Sequence, residues 1–330
     1  MSLTPAFRRT ACALSALLLL ACHRQQRAQQ SPLPAAGAQA APVVLSSTST
    51  PKSIGFHELT WQLSGPFGPE PVIVIVPEAA SAEHRFPVLI AFHGRGESLK
   101  APERGARGFI DDYGLMRALE RVQHPPLLPT DFGGLISEER LSVLNAGLRT
   151  ASYRGMIIVC PYLPDSLHTD RWAQEGRLYT DFIVKQLLPK IYAETPALAG
   201  SETTAVDGVS LGGRAALSLM VFAPRSFGVV GATQPAIDNS EIPLWVNKIA
   251  EARKQNPTLT LRLLTSDADY FLQPTRALSQ ALTAAAISHR IDEVTGDHSY
   301  EFNRGPGVYE MLLFHDRALR EKRAITSQGN

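Results

Sequence analysis

From Phe56 onward, short β-rich runs alternate with helical patterns, and that alternation restricts the chain to few architectures. The runs are "HELTWQL" (57–63), "PVIVIVP" (71–77), "FPVLIAFH" (86–93), "MIIVC" (156–160), "TTAVDG" (203–208), "FGVVGAT" (227–233), "LTLRLLT" (259–265) and "HRIDEVT" (289–295). Amphipathic helical stretches separate the later ones, for example 171–194, 213–223 and 274–286. Strands that alternate with helices form a mostly parallel sheet covered on both faces, so the predicted class is α/β. A longer segment, 97–155, interrupts the alternation with two helical patterns, "DDYGLMRALERV" and "ISEERLSVLNAGL". It exceeds an ordinary βα connection and reads either as a partial lid over the sheet's C-terminal edge or as a helical hairpin packed at its side.

A chain of 330 residues with 44% hydrophobic and 19% charged residues can bury a sizeable core, and a formal net charge of +1 gives it no electrostatic reason to bind nucleic acid. The first residues read as a targeting segment. Arg8 and Arg9 precede an apolar run that is too short to span a bilayer and ends in Leu19, Leu20, Ala21 and Cys22. That ending resembles a bacterial lipobox, which implies cleavage before Cys22, lipidation of that cysteine, and an exported lipoprotein in the outer membrane, facing the periplasm or the cell surface. Removal of 1–21 leaves Cys160 as the one other cysteine, so no internal disulfide is expected. Residues 22–54, rich in Gln, Ala, Ser and Pro, read as a flexible tether to a domain spanning about 55–325.

The stretch "VDGVSLGGRAAL" (206–217) places Ser210 between a strand pattern and a helix pattern, with Gly208 and Gly212 two residues to either side. A serine hydroxyl becomes a useful nucleophile when it is exposed on a tight strand-to-helix turn beside a base, and such a turn needs glycines where the backbone folds back. Attack on a carbonyl builds an oxyanion that requires fixed donors. The N–H of Leu211, after the nucleophile, is one candidate. The loop "HGRG" (93–96), directly after an apolar strand, offers the N–H of Arg95 and, behind it, that of Gly94. His298, in the polar loop "GDHSY" after the last predicted strand, suits the base, and Asp267 and Asp269, after the penultimate one, are the candidate carboxylates. The order Ser, Asp, His is that of α/β-hydrolases.

On these residues the chain resembles the α/β-hydrolase superfamily, and within it the esterase group that includes S-formylglutathione hydrolases, feruloyl and acetylxylan esterases and mycolyltransferases. "DGVSLGGRAALSLMVFAPRSF", "DADYFLQPTRALSQAL" and "GDHSYEF" are similar to that group's nucleophile, acid and base motifs, which implies Ser210 as nucleophile, Asp269 as acid and His298 as base. The resemblance implies a serine ester hydrolase with an acyl-enzyme intermediate, needing no metal or organic cofactor and taking a small-molecule or polymer ester. The same triad would serve acyl transfer to a sugar or lipid acceptor, and a surface-tethered binding module with an idle site is the reading from another class.

Overall fold

The computed structural model describes residues 54–168 and 171–328, so the signal segment, the tether and Cys22 lie outside the described residues. Eight strands form one sheet in the order β1-β2-β4-β3-β5-β6-β7-β8. They are β1 (Phe56–Gly65), β2 (Gly68–Pro77), β3 (Val88–Phe92), β4 (Ile157–Pro161), β5 (Thr204–Gly208), β6 (Val229–Thr233), β7 (Thr260–Ala268) and β8 (Arg290–Asp297). β1 pairs antiparallel with β2, and β2 antiparallel with β4; every later pairing is parallel. Each of the eight predicted runs lies on one of these strands.

The helices are α1 (Arg95–Ser98), α2 (Pro102–Ala106), α3 (Leu115–Val122), α4 (Glu138–Thr150), α5 (Trp172–Phe182), α6 (Leu188–Glu194), α7 (Leu211–Phe222), α8 (Ile242–Gln255), α9 (Leu272–Ala284), the single turn α10 (Tyr300–Phe302) and α11 (Val308–Gln328). Continuous apolar runs make sense only if both sheet faces are covered, because successive side chains point to opposite sides. In β2, Val72, Val74 and Val76 pack on one face with α5 to α9, through Trp172, Tyr179, Leu217, Trp245 and Leu278. Ile73 and Ile75 pack on the other face with α3, α4 and α11, through Leu119, Leu148 and Leu312. Full burial of each such aliphatic side chain contributes about 1.5–3 kcal/mol, so this two-sided pattern fixes the register of the central strands.

The segment 97–155 resolves into this second layer. Phe109, Leu115, Leu119, Leu127, Phe132, Leu144 and Leu148 are buried in the same cluster as Leu89, Ile158 and Tyr309. The segment therefore covers a sheet face, and the partial-lid reading gives way to side packing. Its apolar residues recur at helical spacing, and burying that stripe against the sheet removes far more apolar surface from water than projecting it over an edge would.

Candidate active site

β5 passes into α7 through only Val209 and Ser210. Ser210 takes φ 58°, ψ −114°, a strained conformation for a residue with a side chain and one typical of a nucleophile turn. The flanking glycines are required by space. A Cβ on Gly208 would lie 2.4 Å from the Gly212 carbonyl oxygen, and one on Gly212 would lie 2.1 Å from the carbonyl of Phe92. The strained serine is held from both sides: its N–H donates to Thr233 O (2.9 Å), and its carbonyl accepts from Arg214 N (3.1 Å) and Ala236 N (3.0 Å). Asp207 braces the turn from below, accepting from Gly208 N (2.7 Å) with one oxygen and facing His315 Nε2 (2.8 Å) with the other, in a fully buried pair.

His298 follows the last residue of β8, and its ring reaches the same cavity as Ser210, a cleft of about 420 Å³ at the C-terminal ends of the parallel strands. Its Nδ1 lies 2.7 Å from Asp269 Oδ1. The carboxylate has no proton to give, so Nδ1–H donates and Nε2 keeps its lone pair for a substrate-side proton. Asp269 is itself fixed by the Phe271 N–H (3.1 Å, on Oδ1) and the Thr265 hydroxyl (2.8 Å, on Oδ2), with its side chain 0% exposed. Asp267, two residues earlier and still on β7, accepts instead from Gly296 N (3.0 Å) and lines a separate cavity of about 140 Å³ with Arg140 and Glu293. The two carboxylates thus point into different environments, and Asp269 is the one brought to the histidine.

Of the proposed oxyanion donors, Leu211 N–H opens α7 and is one of the amides that a helix start leaves without an intrahelical acceptor. Gly94 is a correction: its N–H donates to the Tyr113 hydroxyl (3.0 Å), so it is already engaged. Its carbonyl is engaged as well. His93 is buried, Leu163 N–H donates to its Nε2 (2.9 Å), and Nδ1–H therefore donates to Gly94 O (2.9 Å). Burial pushes the His93 pKa down, which keeps this neutral tautomer. Because a trans peptide sets C=O and N–H antiparallel, the Gly94 carbonyl on His93 turns the Arg95 N–H away from that ring, and Arg95 is among the residues that line the cavity. The Arg95 guanidinium forks onto Asp165 (2.7 and 3.1 Å) at the surface, away from any role as a bare cation for substrate.

Several residues of this site carry no motif. Gln234, at φ 46°, gives its N–H to Leu264 O (2.6 Å) and its side-chain amide to Ser266 Oγ (2.7 Å) and Asp297 O (2.9 Å). It ties the ends of β6, β7 and β8 together, next to both the acid and the base. Only its place at a strand end, as a polar residue following an apolar run, hinted at it. Tyr270 stands at the rim, 79% exposed, with its ring centroid 5.3 Å from that of His298.

The family described as "Putative esterase" matches residues 157–304, from β4 to the turn beyond α10. No curated protein matches the chain. Among solved structures, an S-formylglutathione hydrolase from Staphylococcus aureus is 11% identical, covers 81% of this chain and 99% of its own, and superposes with a TM-score of 0.57. A ferulic acid esterase is 17% identical, with 80% and 99% covered and a TM-score of 0.58. A ferulic acid esterase from Anaeromyces mucronatus is 18% identical, with 83% and 95% covered and a TM-score of 0.54. At such identities these likenesses establish the shared fold. Together with the family match over 157–304, they support a carboxylic ester hydrolase activity on this fold.

Proposed function

We propose that the chain hydrolyses its ester through a Ser210–His298–Asp269 triad and a covalent acyl-enzyme. The carrying observation is the Asp269–His298 hydrogen bond of 2.7 Å at a cavity that also holds Ser210 on its strained turn. Ser210 Oγ attacks the ester carbonyl carbon while its proton passes to His298 Nε2, and the tetrahedral oxyanion rests on the N–H groups of Leu211 and Arg95. Collapse breaks the C–O bond, and the leaving alcohol takes the proton from the imidazolium, whose charge the buried Asp269 stabilises. Water then attacks the acyl-enzyme in the same sequence, with His298 again accepting a proton and returning it to Ser210.

Ser210→Ala is expected to keep the fold and lower kcat by about a millionfold, and to abolish labelling by a fluorophosphonate probe. Retained turnover in the folded variant would end this mechanism, and failure of the probe to label the native protein would favour a binding module. Product ratios from an activated ester with and without acceptor alcohols separate hydrolysis from acyl transfer. For location, the lipobox-like "LLAC" ending at Cys22 supports a lipid-anchored protein of the outer membrane.

A further inference from the structure

The loop that supplies the second oxyanion donor rests on a buried carboxylate that no step of the mechanism uses. Glu97, 1% exposed, accepts from two phenols at once: the Tyr113 hydroxyl on Oε2 and the Tyr300 hydroxyl on Oε1 (2.6 Å). Tyr113 is buried, and Tyr300 lies two residues beyond the base His298. Burial first, and then the adjacent carboxylate, push both phenols up, so each stays an O–H donor to Glu97 at working pH. With its proton committed to Glu97, the Tyr113 oxygen has a lone pair for the Gly94 N–H, and that is the bond observed (3.0 Å).

The glycines of "HGRG" fit this arrangement. Neither is at positive φ. A Cβ on Gly94 would lie 3.1 Å from the Tyr113 hydroxyl, and one on Gly96 would lie 2.8 Å from the Tyr300 hydroxyl. What the glycines admit is therefore the two phenols. Tyr300 also joins segments 203 residues apart in sequence, so the oxyanion loop and the base loop share one anchor.

We propose that Tyr113 and Tyr300 clasp the buried Glu97 carboxylate and so fix the Gly94–Arg95 peptide as an oxyanion donor in register with His298, making Glu97 a positioning residue of the reaction. The proposal rests on the serine-hydrolase reading above. In the ground state the clasp touches no reacting atom, so its effect falls on the transition state: an N–H that wanders from the oxyanion loses stabilisation that a substrate carbonyl barely draws on.

The test measures kcat and KM for p-nitrophenyl acetate in Tyr113→Phe, Glu97→Gln and Tyr300→Phe, together with inhibition by a trifluoromethyl ketone. The serine adds to that ketone as its proton passes to His298, which leaves an oxyanion in the same place. Removing an oxyanion donor outright costs about 10²–10³-fold, so loosening one should lower kcat about 10- to 100-fold, with KM within about twofold and the ketone's Ki raised by the same factor as kcat falls. Tyr113→Phe keeps the ring against Phe109 and Tyr300, and combining it with Glu97→Gln should add little, since both break one chain of bonds. A kcat within twofold of native in all three folded variants overturns the clasp, as does a loss confined to KM or one unmatched by the ketone. If Tyr113→Phe fails to fold, the other two variants carry the same readouts. Native kcat in all three variants beside an inactive Ser210→Ala removes the clasp alone, whereas an active Ser210→Ala removes the hydrolase reading beneath it.

Discussion

Replacing Asp269 by Asn is the substitution whose size the structure sets most closely. The obvious expectation is an inverted imidazole tautomer, which in serine proteases lowers kcat about ten thousandfold. The surroundings of Asp269 argue for less. His298 Nδ1 (2.7 Å) and the Phe271 N–H (3.1 Å) both address Oδ1, while Oδ2 receives only the Thr265 hydroxyl (2.8 Å). An asparagine therefore places its oxygen toward the two N–H donors and its NH₂ toward Thr265, whose hydroxyl rotates to accept. The tautomer survives and only the negative charge is lost. A hydrogen bond to a charged group contributes about 1.5–3 kcal/mol, and each 1.36 kcal/mol is tenfold in rate, so kcat should fall about 10- to 100-fold with KM little changed. Asp267→Asn, whose oxygen can still accept from Gly296 N, should stay within about threefold of native. Steady-state hydrolysis of p-nitrophenyl acetate by both purified variants, with folding checked by circular dichroism, decides the matter. A ten-thousandfold loss in Asp269→Asn would mean that the amide turned and the Phe271 N–H does not govern it. Native activity there, or a larger loss in Asp267→Asn, would refute the assignment of the acid.

Glu70 gives a stability prediction. It is 1% exposed, its Oε2 has no partner among the described residues, and burial raises its pKa from 4.5 to about 8. The folded state thus holds a proton that the unfolded chain releases, so stability from this group is full below about pH 4.5 and declines until the folded group ionises near pH 8. The climb corresponds to at most about 5 kcal/mol. Urea midpoints of Glu70→Gln should drop less than those of the native protein between pH 5 and 9, and parallel curves would refute the account. For location, Cys22→Ala should move the protein from the membrane fraction to a soluble or unprocessed form, and unchanged fractionation would point to another anchor.

The amino-acid sequence by itself determined the strands and the turn at Ser210. Runs such as "PVIVIVP" have one stable use, a strand covered on both faces, and Gly208 and Gly212 are local necessities of a backbone that doubles back within five residues. Ser210 and His298 stood out as candidates because each stands beside its own structural punctuation. Other decisions depended on partners far along the chain. Asp267 and Asp269 are one residue type two positions apart, and only the fold puts the first on β7 facing Gly296 and the second beyond the strand facing His298. Gly94 reads as a free donor until Tyr113 is folded against it. The segment 97–155 carried an apolar stripe whose target was a sheet face formed by strands on both sides of it in sequence. Local propensity and spacing encode what neighbours impose on one another. A hydrogen bond between Glu97 and Tyr300 forms only after long-range strand pairing has brought the two loops to one edge.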